Sequence, residues 1–315
     1  MLAPRWFPTL GAASRSAAIV ARHGTLRGAQ SACGRRSPRR ASAEIAANRA
    51  WVSRQTAGVP QNVFVGDIAK HYDATSESQF AAEVLRPTVD FLADLAGDGR
   101  ALELAIGTGR VALPLRGRGV DVHGIEISAD MIAELRAKPG GADVPVTLGD
   151  MAATRLDLSF GLVYLVFNTI SNLLTQAEQV ACFRNAAAHL DSGGCFVVEL
   201  GIPQLRRMSP GESAYPFDLT DAHLGFDSYD FATQRMTSHH YWFAADEVRR
   251  FDSHHRYAWP AELDLMAELA GMRLRERWAD WDRNPFTNES ASHISVWEKP
   301  APDDRAARAP GGGTA

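Results

Sequence analysis

The sequence predicts an α/β domain, a doubly wound and mostly parallel sheet with helices on both faces, and three observations carry that expectation. Short apolar runs of strand length alternate with helix-length amphipathic runs between residues 77 and 200. A glycine-rich turn, ALELAIGTGR at residues 101–110, joins one apolar run to one helical run. After Gly201 the rhythm changes to a stretch rich in aromatics and histidine, 213–257, which reads as antiparallel strands inserted after the fifth parallel strand.

Phe80, Val84, Leu85, Val89, Leu92 and Leu95 recur at helical spacing over 77–96, with Pro87 dividing the run into two segments. Gly97-Asp98-Gly99 turns the chain into a half-buried first strand of Leu102, Leu104 and Ile106. A helix beginning near Gly109 would offer unpaired N–H groups to an anion, and Pro114 sits early enough in it to be tolerated. A second strand at 120–126 precedes a helix capped by Ser128, running to Lys138 and stopped by Pro139-Gly140-Gly141. Strands at 144–148 and 162–167, a helix at 176–190 and a strand at 195–200 complete the alternation. A helix at 261–270, a strand at 272–278 and an antiparallel final strand at 293–297 close the domain.

The domain spans 63–299, with 213–257 expected to cover a substrate. Residues 1–62 hold ten arginines and one acid, a local charge of +9, so the overall −4 leaves −13 on the rest. That acidic body speaks against a nucleic-acid partner, whose phosphates need Lys and Arg. The arginine-rich start has the composition of an organellar transit peptide, but only three of the 33 basic residues are lysine, so arginine enrichment by itself signals little. It is read as a disordered extension or an overlong start, and 300–315, dense in Pro, Ala and Gly, as a disordered tail. Three cysteines without a Cys-x-x-Cys pair imply free thiols in the cytoplasm and no metal. The apolar runs are far short of a bilayer span, so no membrane partner is expected; monomer and homodimer both stay open.

The glycine turn alone fits two cofactors, because Gly107-x-Gly109-x-x-Ala112 is also a dinucleotide fingerprint. Glu126, ending the second strand, suits the ribose hydroxyls of either. Gly149-Asp150-Met151 after the third strand, with Ile127 and Met131, decides the matter: the pattern resembles class I S-adenosylmethionine-dependent methyltransferases. The resemblance spans 66–298 and includes Ile68-Ala69-Lys70-His71-Tyr72-Asp73, His189-Leu190-Asp191-Ser192-Gly193-Gly194, and the stretch from Tyr257 to Met272. It implies a Rossmann-like fold and a small-molecule acceptor, and is narrower still toward amino-sugar N-methyltransferases of natural-product pathways. Two positions depart from the family: Ala105 replaces a glycine, a mild change because it adds only a methyl, and Gly161 replaces the aspartate that opens strand four.

Residue by residue, the resemblance places Glu103 near the methionine amino group and Ala105, Gly107 and Gly109 under the methionine tail. Glu126 falls on the ribose, Asp150 and Met151 at the adenine, and Ile127, Met131 and Phe167 beside the cofactor. Tyr72 matches a tyrosine that folds over the cofactor in relatives and is taken as one of two catalytic candidates. Asn168 and Asn172, at the carboxyl edge of strand four, are candidates to orient the acceptor, or caps of the following turn. His240 is the candidate base should the acceptor be a hydroxyl. Its neighbour His239 would touch substrate, although adjacent strand residues face opposite ways and only one of the two can reach the pocket. Two readings compete: an NAD-linked oxidoreductase, which lacks a Tyr-x-x-x-Lys set, and a non-catalytic S-adenosylmethionine-binding module.

Overall fold

The computed structural model describes residues 62–244 and 247–301. The extension expected over 1–62, apart from Asn62, and the tail beyond 301 lie outside the described residues.

Chain order gives α1 (Asp67–Thr75), α2 (Ala82–Ala96), β1 (Arg100–Leu104), α3 (Ala112–Gly117), β2 (Asp121–Glu126) and α4 (Ala129–Arg136). Then come β3 (Val146–Leu148), β4 (Phe160–Leu165), α5 (Gln176–His189) and β5 (Leu190–Gly201). Four strands, β6 (Ala214–Leu219), β7 (His223–Asp230), β8 (Arg235–Ala244) and β9 (Glu247–Arg256), precede α6 (Pro260–Leu269), β10 (Arg273–Trp278) and β11 (Ser292–Glu298).

Seven strands form one sheet in the order β10-β11-β5-β4-β1-β2-β3. All neighbours from β3 to β5 pair in parallel, and β11 runs antiparallel between β5 and β10. Alternation splits the core in two. Leu102, Leu104, Val163, Leu165, Phe196 and Val198 meet α5 and α6 through Phe183, Leu263 and Met266. Ala101, Val122, Leu162, Tyr164 and Val197 meet α2, α3 and α4 through Leu92, Leu115 and Leu135. The sheet is thus covered on both faces, as the alternating pattern predicts.

Three local expectations are corrected. β1 is buried from Ala101 to Leu104 rather than half-buried, because helices cover both of its faces. α2 runs unbroken through Pro87; the ring removes one N–H, yet Leu85, Thr88, Val89, Phe91, Leu92 and Ala96 pin the helix to the sheet on both sides of it. The first helix after the glycine turn starts at Ala112, not near Gly109, since Gly107 and Gly109 both take positive φ. At six residues it is too short to present a dipole end to a ligand.

The segment after β5 folds as a separate antiparallel sheet, β6-β7-β8-β9, as its composition suggests. It is anchored where β9 ends: Arg256 bonds Gln179 and Glu262, and Gln179 donates to the carbonyls of Ile170 and Leu173. Among the described residues no helix is long and apolar enough to cross a membrane.

Candidate active site

The parallel order reverses direction between β1 and β4, and in such sheets the carboxyl ends beside that reversal leave a crevice. An open cleft of roughly 720 Å³ lies there. Its walls are built at and just past the carboxyl ends of four strands: Ala105 and Gly107 at β1; Glu126, Ile127 and Met131 at β2; Gly149, Asp150 and Met151 at β3; Thr169, Asn172 and Leu173 at β4. Asn62, Phe64 and Tyr72 close it from the amino-terminal side.

Glu126 organises the floor. One carboxylate oxygen accepts the Gly107 N–H at 2.8 Å and the other accepts the Ser128 N–H at 2.8 Å, so the two loops are held by one side chain. Burial raises its pKa, and the N–H groups of Ser128, Gly107 and Ile127 oppose that rise. The carboxylate keeps acceptor capacity for a ligand hydroxyl. Asp150 is a turn aspartate as well as a cleft residue, accepting the Ala152 N–H at 2.8 Å through one oxygen.

Backbone shape, more than side chains, sets the turn after β1. A Cβ on Gly109 would sit 2.1 Å from Leu135 Cδ1, at a φ of +80°. Ala105 also lies in the left-handed region, at φ 54°. Its departure from glycine therefore matters because the added methyl crowds a left-handed backbone, at about 1 kcal/mol. Phe167 and Asn168, just past β4, share that conformation at φ 59° and 60°. For Gly161 a Cβ would meet nothing closer than 3.8 Å, so nothing in the structure explains its replacing an aspartate.

Several residues expected at the cofactor or acceptor stand behind the cleft instead of in its wall. Glu103 is buried beside β4, accepts the Tyr164 hydroxyl at 2.9 Å, and is pushed up to about 8 by burial. Gly109 packs on α4, and the Arg110 guanidinium lies 4.6 Å from the Phe167 ring centre. The Phe167 N–H donates to Glu199 at 2.7 Å. Asn168 Oδ1 accepts the Gly201 N–H at 2.6 Å, tying the loop after β4 to the end of β5. Asn172 does line the cleft.

The two catalytic candidates differ. Tyr72 is in the cleft wall, edge-on to Phe64 at 5.8 Å, and burial pushes its hydroxyl up to about 12, so at neutral pH it is a phenol and no base. His240 is not in the wall. It is buried in the antiparallel sheet at 3% exposure, bonded to His223 at 3.1 Å and stacked on Trp242. Burial, then His223, pushes its pKa down to about 4. His239 faces the opposite side, on Phe226 at 4.7 Å, between Asp252 and Ser228. Despite five histidines in this sheet, no group of three metal-ligating residues occurs among the described residues.

Sequence reasoning missed Asn62, Phe64, Thr169 and Leu173 in the wall, and Glu199 behind it. The apolar Val63-Phe64-Val65 directly before α1 was the signal available for Phe64.

Residues 101–194 match the family described as a methyltransferase domain. The solved CcbJ methyltransferase from Streptomyces caelestis is 39% identical, with a TM-score of 0.63 over 69% of this chain and 89% of that one. The chain belongs to the class I S-adenosylmethionine-dependent methyltransferases. Two curated proteins are similar to this methyltransferase. The cypemycin N-terminal methyltransferase of a Streptomyces species is 27% identical over 206 residues, 64% of this chain and 84% of that protein. The dTDP-3-amino-3,6-dideoxy-alpha-D-glucopyranose N,N-dimethyltransferase of Streptomyces fradiae is 33% identical over 151 residues, 47% of this chain and 58% of that one. The methyltransferase uses S-adenosylmethionine; these relatives support neither an oxidoreductase nor a binding module. Its cleft fits that cofactor: two carboxylates stand against a wall of Ile125, Ile127, Met131, Met151 and Leu173, an apolar slot with few polar anchors, as an adenosine requires.

Proposed function

We propose that the enzyme methylates an amine nitrogen of a small natural-product molecule, with an amino sugar as the favoured acceptor. The reading is carried by the similarity to relatives named as N-methyltransferases, one of them for an amino sugar. A property of the cleft supports it. The acids in its wall are Glu126 and Asp150, both on the side assigned to the cofactor, and the nearest phenol stays protonated. An amine that arrives neutral needs no base, whereas a hydroxyl does.

When bound, S-adenosylmethionine supplies an electrophilic methyl and a leaving group that departs neutral. The protein's task is then alignment, which can supply several kcal/mol of barrier reduction. We assign Glu126 to the ribose hydroxyls, Asp150 to the adenine amino group, Ile127, Met131 and Met151 to the ring, and Ala105 and Gly107 to the methionine end. Tyr72 covers that end as a donor, and Asn172 with Thr169 orients the acceptor. Glu103, Gly109, Phe167 and Asn168 support these loops from behind. His239 and His240 build the antiparallel sheet, which covers the acceptor, and hold no proton of the reaction. The two buried free thiols, Cys182 and Cys195, favour a cytoplasmic enzyme.

A panel of amino sugars, other amines and matched alcohols, incubated with S-adenosylmethionine and followed by mass spectrometry, tests the reading. Methylation of amines is expected; methylation confined to alcohols would overturn it.

A further inference from the structure

We propose that Asp73 is a positioning residue for the cofactor cleft. Through Thr108 and Lys138 it holds α1, and Tyr72 with it, closed against the glycine turn.

The contacts form a closed triangle. Thr108, the residue between Gly107 and Gly109, donates its hydroxyl to Asp73 Oδ1 at 2.6 Å. Lys138, just beyond α4, pairs with the other Asp73 oxygen and also donates to the Thr108 carbonyl at 2.7 Å. Thr108 is buried, at 2% exposure, so its hydroxyl has no water to fall back on. Consecutive helical residues point about 100° apart. Tyr72 can therefore line the cleft while Asp73 grips the rim of the glycine turn beside it.

Further ties from this amino-terminal strap run to the same two loops. The Gly66 N–H donates to Asp130 at 2.6 Å, the Ser128 hydroxyl donates to the Phe64 carbonyl, and Arg110 donates to the Gln79 carbonyl at 3.4 Å. Lys138 also lies 5.1 Å from the Phe80 ring centre. Those loops, after β1 and β2, carry Ala105, Gly107, Glu126, Ile127 and Met131 of the cleft wall. The strap and the floor are thus joined around the cleft, and the joint nearest Tyr72 is Asp73. This assignment rests on the cleft being the cofactor site.

The test uses the full chain, with S-adenosylhomocysteine as probe, and compares Asp73→Ala, Thr108→Val and Thr108→Ser with wild type. Calorimetry gives affinity, stopped-flow fluorescence gives the rates, and thermal melting gives stability. Asp73→Ala and Thr108→Val should weaken binding about tenfold, through faster dissociation and not slower association. Thr108→Ser, which keeps the hydroxyl, should restore wild-type dissociation. Unchanged dissociation in Asp73→Ala and Thr108→Val would overturn the proposal. So would an equal loss in Thr108→Ser that follows melting temperature, because the effect would then be on folding. Failure of the wild-type chain to bind the probe would instead defeat the cofactor reading itself.

Discussion

The seven-stranded and four-stranded sheets solve different problems with different materials. In the first, the site is drawn by the backbone: positive φ at Ala105, Gly107, Gly109, Phe167 and Asn168, and carboxylates that hold N–H groups. In the second, side chains carry the structure. His223, Tyr229, His240 and His255 are buried, and Asp227, bonded by Ser238 at 2.6 Å, is pushed up to about 6 by burial. A fixed cofactor permits a fixed backbone cradle, which leaves a glycine motif. The second sheet has no such motif, and its identity lies in packing.

The sharpest way to break this contrast is Glu126→Ala. Loss of two charge-assisted bonds should weaken S-adenosylhomocysteine binding about a hundredfold or more by calorimetry, while aromatic circular dichroism from the second sheet stays unchanged. Gly109→Ala comes next. Forcing a side chain into the left-handed region and against Leu135 should cost about 2–4 kcal/mol in denaturant unfolding.

His240→Phe tests the other sheet. Above about pH 6.5 His240 is neutral folded or unfolded, and its contribution to stability is complete. As pH falls from there toward 4, the unfolded chain takes a proton that the buried ring refuses, and stability is lost. Asp218, His223, His239 and Asp252 all act on this ring, with the two aspartates opposing the loss. The phenylalanine variant should lose roughly 2 kcal/mol less between pH 7 and 4, and its turnover should stay within about threefold of wild type. A collapse of turnover with stability intact would restore His240 as a catalytic residue. The smallest effect belongs to Ala105→Gly, which should gain about 0.5–1 kcal/mol in thermal melts, relief of the left-handed alanine outweighing the extra freedom of the unfolded glycine.

The same contrast explains what was legible in the sequence. Strands and helices of the parallel sheet were readable because short apolar runs alternate with amphipathic ones, and Glu126 and Asp150 because they stand at or just past strand ends beside glycines. Pro87 misled because propensity is a local argument and six buried side chains outweigh one missing N–H. Asn168 reads as a ligand only until its Oδ1 is seen on Gly201, a contact 33 residues away along the chain. His240 was chosen among four similar histidines by place in the chain, and only the register of β7, β8 and β9 shows which side each faces. The triangle of Asp73, Thr108 and Lys138 was not readable, since their meeting depends on how α1 folds back over the glycine turn.

Ser128 carries one consequence beyond its position. Its hydroxyl accepts the Met131 N–H at the start of α4 and donates to the carbonyl of Phe64 in the strap. Fraying of the helix start and lifting of the strap therefore share an atom and become one event. In hydrogen exchange the amides of α4's first turn and those flanking Phe64 should open together, and a bound ligand that touches only Met131 should slow exchange in both.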